Sequence, residues 1–275
     1  MASRACLRGT LVNASSSTAN GSLRALSGLH AAAILLAGVA AGTINTVVGS
    51  GTLITFPLLL AFGYAPVTAN VSNTIGLVPG SVAGAVGYRR ELADQRARVV
   101  PLAVASAIGG VIGAVLLLTL PASAFKAIVP VFIAIALLLI VFQKRLTPLL
   151  EKRRAAGEEN GAGASVGVFA SGVYGGYFGA AQGILLLAIM GLTIDDELQR
   201  INAVKVVLAG LVNLIAGVVF VVAAPHVAWD VCGLIAGGST IGGWLGARYG
   251  RRLPPVALRA LIVVVGIAAI VKLLA

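Results

Sequence analysis

Between Leu29 and Phe62 the chain stays apolar for longer than one membrane helix requires, and the run is interrupted near its middle. A continuous helix over those residues would measure about 50 Å at 1.5 Å per residue, against a hydrocarbon core of about 30 Å. The interrupted stretch is Ala41-Gly-Thr-Ile-Asn-Thr-Val-Val-Gly-Ser-Gly-Thr-Leu-Ile-Thr-Phe-Pro57, which sets Asn45, Thr46, Ser50, Thr52 and Thr55 around Gly49 and Gly51. In hydrocarbon every backbone amide needs a partner, and Gly49-Ser50-Gly51 continues a helix poorly. Irregular backbone survives at that depth only under protein cover or beside a watery cavity. Transporters use such breaks to present backbone and small polar groups to a substrate. The competing reading is a glycine-rich seam for helix packing. Recurrence of the stretch 132 residues later favours a site.

Composition fixes the solvent. The chain is 59% hydrophobic and 11% charged, with a mean hydropathy of +1.01; a soluble domain carries roughly 25% charge. Apolar runs of about 20 residues suit membrane helices, and the alternating segments of a barrel are absent. The net charge of +11 is spread over several short loops, as the positive-inside rule predicts, so nucleic acid is not expected as a partner. Cys6 lies in a polar tail and Cys232 in an apolar run, which builds neither a disulfide framework nor a metal cluster. All nine carboxylates fall in predicted loops. Paired-carboxylate catalysis and carboxylate proton relays therefore have no candidate residues, and no enzyme, metal or cofactor is expected.

Residues 1–28 read as a disordered, Arg- and Ser-rich N-terminal tail. A first membrane repeat over 29–143 holds apolar segments at 29–62 (broken near 48–52), 66–88, 99–119 and 124–143. A charged linker occupies 144–163. The second repeat, 164–275, holds segments at 164–192 (broken near 175–183), 198–223, 230–247 and 255–274. At an offset of 132, Asn70 falls on Asn202 and Gly51 on Gly183; at 133, Gly109-Gly-Val-Ile-Gly-Ala114 falls on Gly242-Gly-Trp-Leu-Gly-Ala247, and Leu120-Pro121 on Leu253-Pro254. Basic charge swaps between corresponding loops. Residues 89–98 hold Arg89, Arg90, Arg96 and Arg98 where 221–230 hold none, while 248–254 hold Arg248, Arg251 and Arg252 where 119–124 hold none. Swapped charge predicts repeats related by a pseudo-two-fold axis in the membrane plane. The expected fold is thus an all-α polytopic membrane protein of two inverted four-segment repeats, each opening with a broken or re-entrant helix. Residues 89–98, 144–163 and 248–254 then share the cytoplasmic side, with the C-terminus outside.

Lys205 is the most informative single residue, because an ammonium in a helix interior costs about 2.5–3.5 kcal/mol on insertion scales. Snorkelling to the interface is the ordinary explanation. Against it, Asn202, Lys205 and Asn213 lie on one helical face, and no helical carboxylate offers a counter-ion, which leaves that role to a substrate anion or water. The aligned face of the first half carries Asn70, Asn73 and Ser81, with Asn73 in the place of Lys205. The second break, Gly175-Gly-Tyr-Phe-Gly-Ala-Ala-Gln-Gly183, offers Tyr177 and Gln182. Half-helix N-termini after Gly51 and Gly183 would turn positive dipole ends to the same place. The candidate substrate-binding set is Asn45, Thr46, Ser50, Gly51, Asn70, Asn73, Tyr177, Gln182, Gly183, Asn202, Lys205 and Asn213. Donors and positive charge predict an anionic substrate. Asp195-Asp-Glu197 reads as a helix N-cap, and Lys126 and Arg259 as interface anchors.

Ala41-Gly-x-x-Asn45-x-x-x-Gly49-x-Gly51, Pro57 and Ala69-Asn70-x-x-Asn73-Thr74 resemble the first-repeat signature of the TauE/SafE (sulfite exporter) family. Gly179-x-x-x-Gly183 with Asn202-Ala-x-Lys205 resembles its second repeat. The resemblance covers about residues 30–274. It implies a bacterial-type inner-membrane, multi-pass permease for small sulfur-containing anions such as sulfite, sulfoacetate or other organosulfonates, working as an exporter. Gly49-Ser-Gly-Thr52 and Ala180-Ala181-Gln182 depart from the family's frequent glycine runs, which leaves the exact substrate open. The partners expected are a small anion and the lipid bilayer, with a homo-oligomer left open. A passive small-anion channel is the rival reading; a membrane-embedded enzyme and a non-transporting scaffold fit the duplicated polar breaks less well.

Overall fold

The computed structural model describes residues 28–121, 123–135, 137–138 and 161–250, with 263, 264, 267, 270 and 271 near the C-terminus. Among these residues there are nine α-helices and no strand. They are α1 Gly28–Val47, α2 Thr52–Ala61, α3 Pro66–Gly87, α4 Arg96–Thr119, α5 Ser123–Ile135, α6 Gly161–Tyr177, α7 Gln182–Thr193, α8 Leu198–Ala223 and α9 Trp229–Tyr249. By length and apolarity α1, α4 and α8 can each cross a membrane. The 10-residue α2 and 12-residue α7 are about half that span at 1.5 Å per residue.

Residues 1–27 of the tail, the linker up to residue 160, Leu253-Pro254 and Arg259 lie outside the described residues. Two expected boundaries move. Helix α6 already begins at Gly161, inside the stretch read as linker. The second interruption is 178–181 rather than 175–183, because α6 runs on through Gly175 and Gly176. Those glycines are packing residues: a Cβ on Gly176 would strike the carbonyl of Gly110, and one on Gly175 would strike the Gln182 side chain.

Two glycine seams organise the helices. Along one, α1 lies against α9, with Gly38 facing Ile235, Gly42 facing Ser239 and Gly246 facing Thr43; along the other, α4 lies against α6, with Ser106 facing Gly172 and Gly110 facing Gly176. In both seams positions advance together, so the paired helices run parallel. A Cβ at Gly42, Gly172, Gly176 or Gly246 would enter the opposing backbone, which is how small residues four apart let helices approach without a hydrophobic driving force. Helix α3 also runs parallel to α9, Gly76 meeting Ile235, Gly80 meeting Ser239 and Gly87 meeting Ala247.

The short helices double back. A Cβ on Gly51 would meet Ala41 and Asn45, and the ring of Phe62 lies 4.4 Å from that of His30, so α2 returns along α1 towards its start. Helix α7 returns along α6, with Gln182 against Gly175 and Ile189 against Gly167. An aromatic cluster covers the second turn-back: Phe178 packs on Phe56 at 5.1 Å and on Phe125 at 5.9 Å, and Phe132 on Tyr174 at 4.9 Å. Each such pair contributes about 0.5–1.5 kcal/mol beyond its buried area.

Asp195-Asp-Glu197 does not form the expected cap. Glu197 occupies the N-cap of α8 without a side-chain bond. Asp196 instead takes the Glu197 N–H at 2.8 Å and pairs with Arg98 at 2.6 Å and Arg200 at 2.9 Å, joining the starts of α4 and α8.

Candidate functional site

Helices α1 and α6 end in the same way. The N–H groups of Val48 and Gly49 both donate to the Ile44 carbonyl, at 2.7 and 2.9 Å, and Gly49 takes φ +87°. The N–H groups of Phe178 and Gly179 both donate to the Tyr174 carbonyl, at 3.0 and 3.2 Å, and Gly179 takes φ +75°. This left-handed ending is cheap for glycine. Equivalent positions at the breaks are therefore Gly49 and Gly179, 130 apart, and the expected pairing of Gly51 with Gly183 is displaced. The offset returns to 132 at the starts of α3 and α8, because α7 is two residues longer than α2. Helix α7 likewise restarts at Gln182, not after Gly183. Its N-cap, Ala181, holds φ +58° without a glycine.

A helix end leaves its last carbonyls without intrahelical donors. Here side chains of the opposite half supply them. Lys205 Nζ, on α8, donates to the carbonyls of Asn45 at 3.1 Å and Thr46 at 3.0 Å, and Asn202 Nδ2 reaches the Thr46 carbonyl at 3.5 Å. Reciprocally, Asn70 Nδ2, on α3, donates to the Tyr177 carbonyl at 3.1 Å. Lys205 is completely buried. The negative end of the α1 dipole and its free carbonyls stand where the sequence reading looked to a substrate anion or water.

The two breaks touch. Gly183 N–H donates to the Gly49 carbonyl at 3.0 Å. A Cβ on either glycine would overlap the Cα of the other, and one on Gly183 would also come within 2.8 Å of Lys205 Cδ. The crossing is backbone on backbone, with the lysine stem laid against it.

On the elements that meet here five buried polar atoms have no partner among the described residues: Ser50 Oγ, Asn70 Oδ1, Ser171 Oγ, Tyr177 Oη and Asn202 Oδ1. Leaving one such group unsatisfied costs about 1–3 kcal/mol. The remaining candidates divide. Thr46 turns its hydroxyl to the Gly42 carbonyl and enters the crossing by its own carbonyl, as does the half-buried Asn45. Gln182 donates to the Ser171 carbonyl at 3.3 Å. Gly51 is held between Ala41 and Asn45 at the restart of the chain. Asn73, in the register position of Lys205, stays within its own half: its Nδ2 donates to Thr52 Oγ1 at 3.2 Å, and its Oδ1 accepts from the Thr55 hydroxyl. Asn213 is half-buried, about 12 Å up the helix from Lys205 at 1.5 Å per residue, and no described hydrogen bond joins it to the cluster. Tyr174 was missed; its hydroxyl donates to the Ala180 carbonyl inside the second break. Its only sequence signal is a tyrosine one turn ahead of an interruption.

The family model described as "Sulfite exporter TauE/SafE" matches residues 34–273. Among curated proteins, the "Probable membrane transporter protein ORF9" of Sinorhizobium sp is 28% identical over 261 residues, covering 88% of this chain and 91% of that protein. The "Probable membrane transporter protein YfcA" of Escherichia coli K12 is 27% identical over 244 residues, covering 85% and 86%. A "Probable membrane transporter protein" of Haemophilus influenzae is 24% identical over 238 residues, covering 86% and 92%. No solved structure matches the chain.

Proposed function

The chain belongs to the sulfite exporter TauE/SafE family of membrane transporters, and on that premise we propose that it exports small sulfur-containing anions, such as sulfite, sulfoacetate or other organosulfonates, through the crossing of its two breaks. The observation that carries this reading is the buried Lys205 laid against the Gly49–Gly183 contact, together with unpartnered buried polar atoms of Ser50, Asn70, Tyr177 and Asn202 on the segments that meet there. The hydroxyls of Ser50 and Tyr177 have donors to give. The ammonium has a third N–H beyond the two placed on carbonyls. The free amide oxygens of Asn70 and Asn202 accept, and suit water or an acid proton on the anion.

The same geometry couples binding to movement. Lys205 is the cap of α1, so an anion that draws the ammonium towards itself takes the donor away from Asn45 and Thr46 and loosens the last turn of α1. The group that recognises charge is the group that fastens the broken segment.

We read the architecture as an inverted repeat in the inner membrane. Supporting this, the first helix of each half packs parallel to the last long helix of the other, and α2 and α7 double back as re-entrant arms would. The first half then makes three crossings, α3, α4 and α5, the odd number that inversion requires, and the segment expected at 255–274 would do the same for the second half after α8 and α9.

The test is flux in proteoliposomes against sulfite, sulfoacetate, sulfate and taurine. Sulfite and sulfoacetate should move, and taurine, a zwitterion, should move least. Folded protein that passes none of the anions would overturn the reading.

A further inference from the structure

We propose that the groove between the C-terminal ends of α3 and α9 binds the phosphate headgroup of an anionic membrane lipid. The groove has a volume of about 420 Å³ and is lined by Gly87, Arg89, Arg90, Trp244, Ala247 and Arg248. It exists because α3 and α9 run parallel and end together, with Gly87 packed on Ala247. The chain that leaves α3 thereby brings Arg89 and Arg90 to the last turn of α9, where Arg248 stands.

Charge complementarity identifies the occupant. All three arginines are exposed. The described ion pairs join Arg98 and Arg200 to Asp196, away from the groove. The described contact of the Arg89 guanidinium is a long one to the Val86 carbonyl, at 3.5 Å. The Arg248 guanidinium stacks over the rings of Trp244 at 5.3 Å and Tyr249 at 5.7 Å, which fixes its plane and leaves its edge N–H groups for an anion. A guanidinium edge matches two phosphate oxygens at once. Cations complement helix C-termini on their own account, but that does not require them to share one groove beside an exposed tryptophan.

A lipid fits better than a soluble anion because of what adjoins the groove. Val86 in the last turn of α3, Val82 one turn earlier and Ile241 about two turns from the end of α9 are 56%, 56% and 53% exposed. They offer an acyl chain a wall directly below the headgroup. Trp244 is 49% exposed at the level where tryptophan favours the membrane interface.

The experiment is native mass spectrometry of the purified full chain from mixed micelles of phosphatidylglycerol and phosphatidylcholine. The natural protein should retain phosphatidylglycerol preferentially. Replacing all three arginines (Arg89→Gln, Arg90→Gln, Arg248→Gln) should reduce the preference about a hundredfold, at about 1 kcal/mol per basic residue near a membrane surface. Arg96→Gln, an exposed arginine outside the groove, should leave it unchanged. If the triple variant fails to fold, Arg90→Gln alone carries the test, with a loss of about fivefold expected on the same scale. Undiminished preference in a folded variant overturns the proposal. So does displacement of the lipid by soluble glycerophosphate at equal concentration, which would make the groove a site for free anions.

Discussion

The amide of Gly183 donates to the carbonyl of Gly49 at 3.0 Å, so two residues 134 positions apart join the interruptions of two helices. Neither position has room for a Cβ. Gly49→Ala adds a φ penalty to the overlap, since Gly49 sits at φ +87°, whereas Gly183 is helical. Both substitutions should destabilise the protein, Gly49→Ala more, and by more than the roughly 1–3 kcal/mol of ordinary overpacking. Thermal unfolding in detergent measures this. Alanine tolerated at both positions would show that the breaks do not meet.

Asn70 and Asn202 cap each other's halves. Asn70→Ala removes a 3.1 Å bond and leaves the Tyr177 carbonyl bare, at a cost of about 1–3 kcal/mol for a buried acceptor. Asn202→Ala should cost less, because its 3.5 Å bond is long and Lys205 still serves Thr46. Equal effects in the two variants would contradict the assigned partners.

Acid should loosen the junction between α4 and α8. Burial raises the affinity of Asp196 for a proton, but the Glu197 N–H, Arg98 and Arg200 together outweigh it and hold the carboxyl below its usual range. A depressed native pKa contributes stability above the unfolded carboxylate value, and that stability is lost as pH falls through the native one. Asp196→Asn should therefore lower stability at neutral pH by about 1 kcal/mol and flatten its decline in acid. Parallel acid curves for the two proteins would remove Asp196 as a contributor.

Topology is open to labelling. Helices α3 and α9 end side by side, so Arg90→Cys and Tyr249→Cys should react from one face of the membrane, the cytoplasmic one, and His226→Cys from the other. Arg90→Cys and Tyr249→Cys reacting from opposite faces would exclude the arrangement.

Helix positions were largely legible because apolar length is a strong signal. Segment 198–223 coincides with α8, and 66–88 differs from α3 by one residue. The second break was drawn too wide because Gly175 and Gly176 look like helix breakers in a string, whereas they serve the seam with α4. The packing-seam and broken-helix readings of glycine both apply, at different residues: Gly38 and Gly42 pack, while Gly49 turns the chain. At the site, sequence names residues by side chain. Asn45, Thr46 and Tyr177 meet their partners through carbonyl oxygens, which every residue has. The acceptors of Lys205 lie about 160 residues away in the chain, so no local pattern could announce them. Asn213 shares a helical stripe with Lys205, but a stripe does not establish that its two ends reach one site.

The measurement that bears most directly on the crossing as an anion site is sulfite affinity in Lys205→Met, beside Lys205→Arg and thermal stability in detergent. Methionine keeps the stem that packs against Gly183 and removes the charge. Sulfite binding should weaken by about 1–3 kcal/mol, the range for losing a charged donor. Arginine should restore only part of it, because a fork of fixed donors fits poorly where lysine is completely buried. A folded Lys205→Met protein that binds sulfite as tightly as the natural chain would contradict the account.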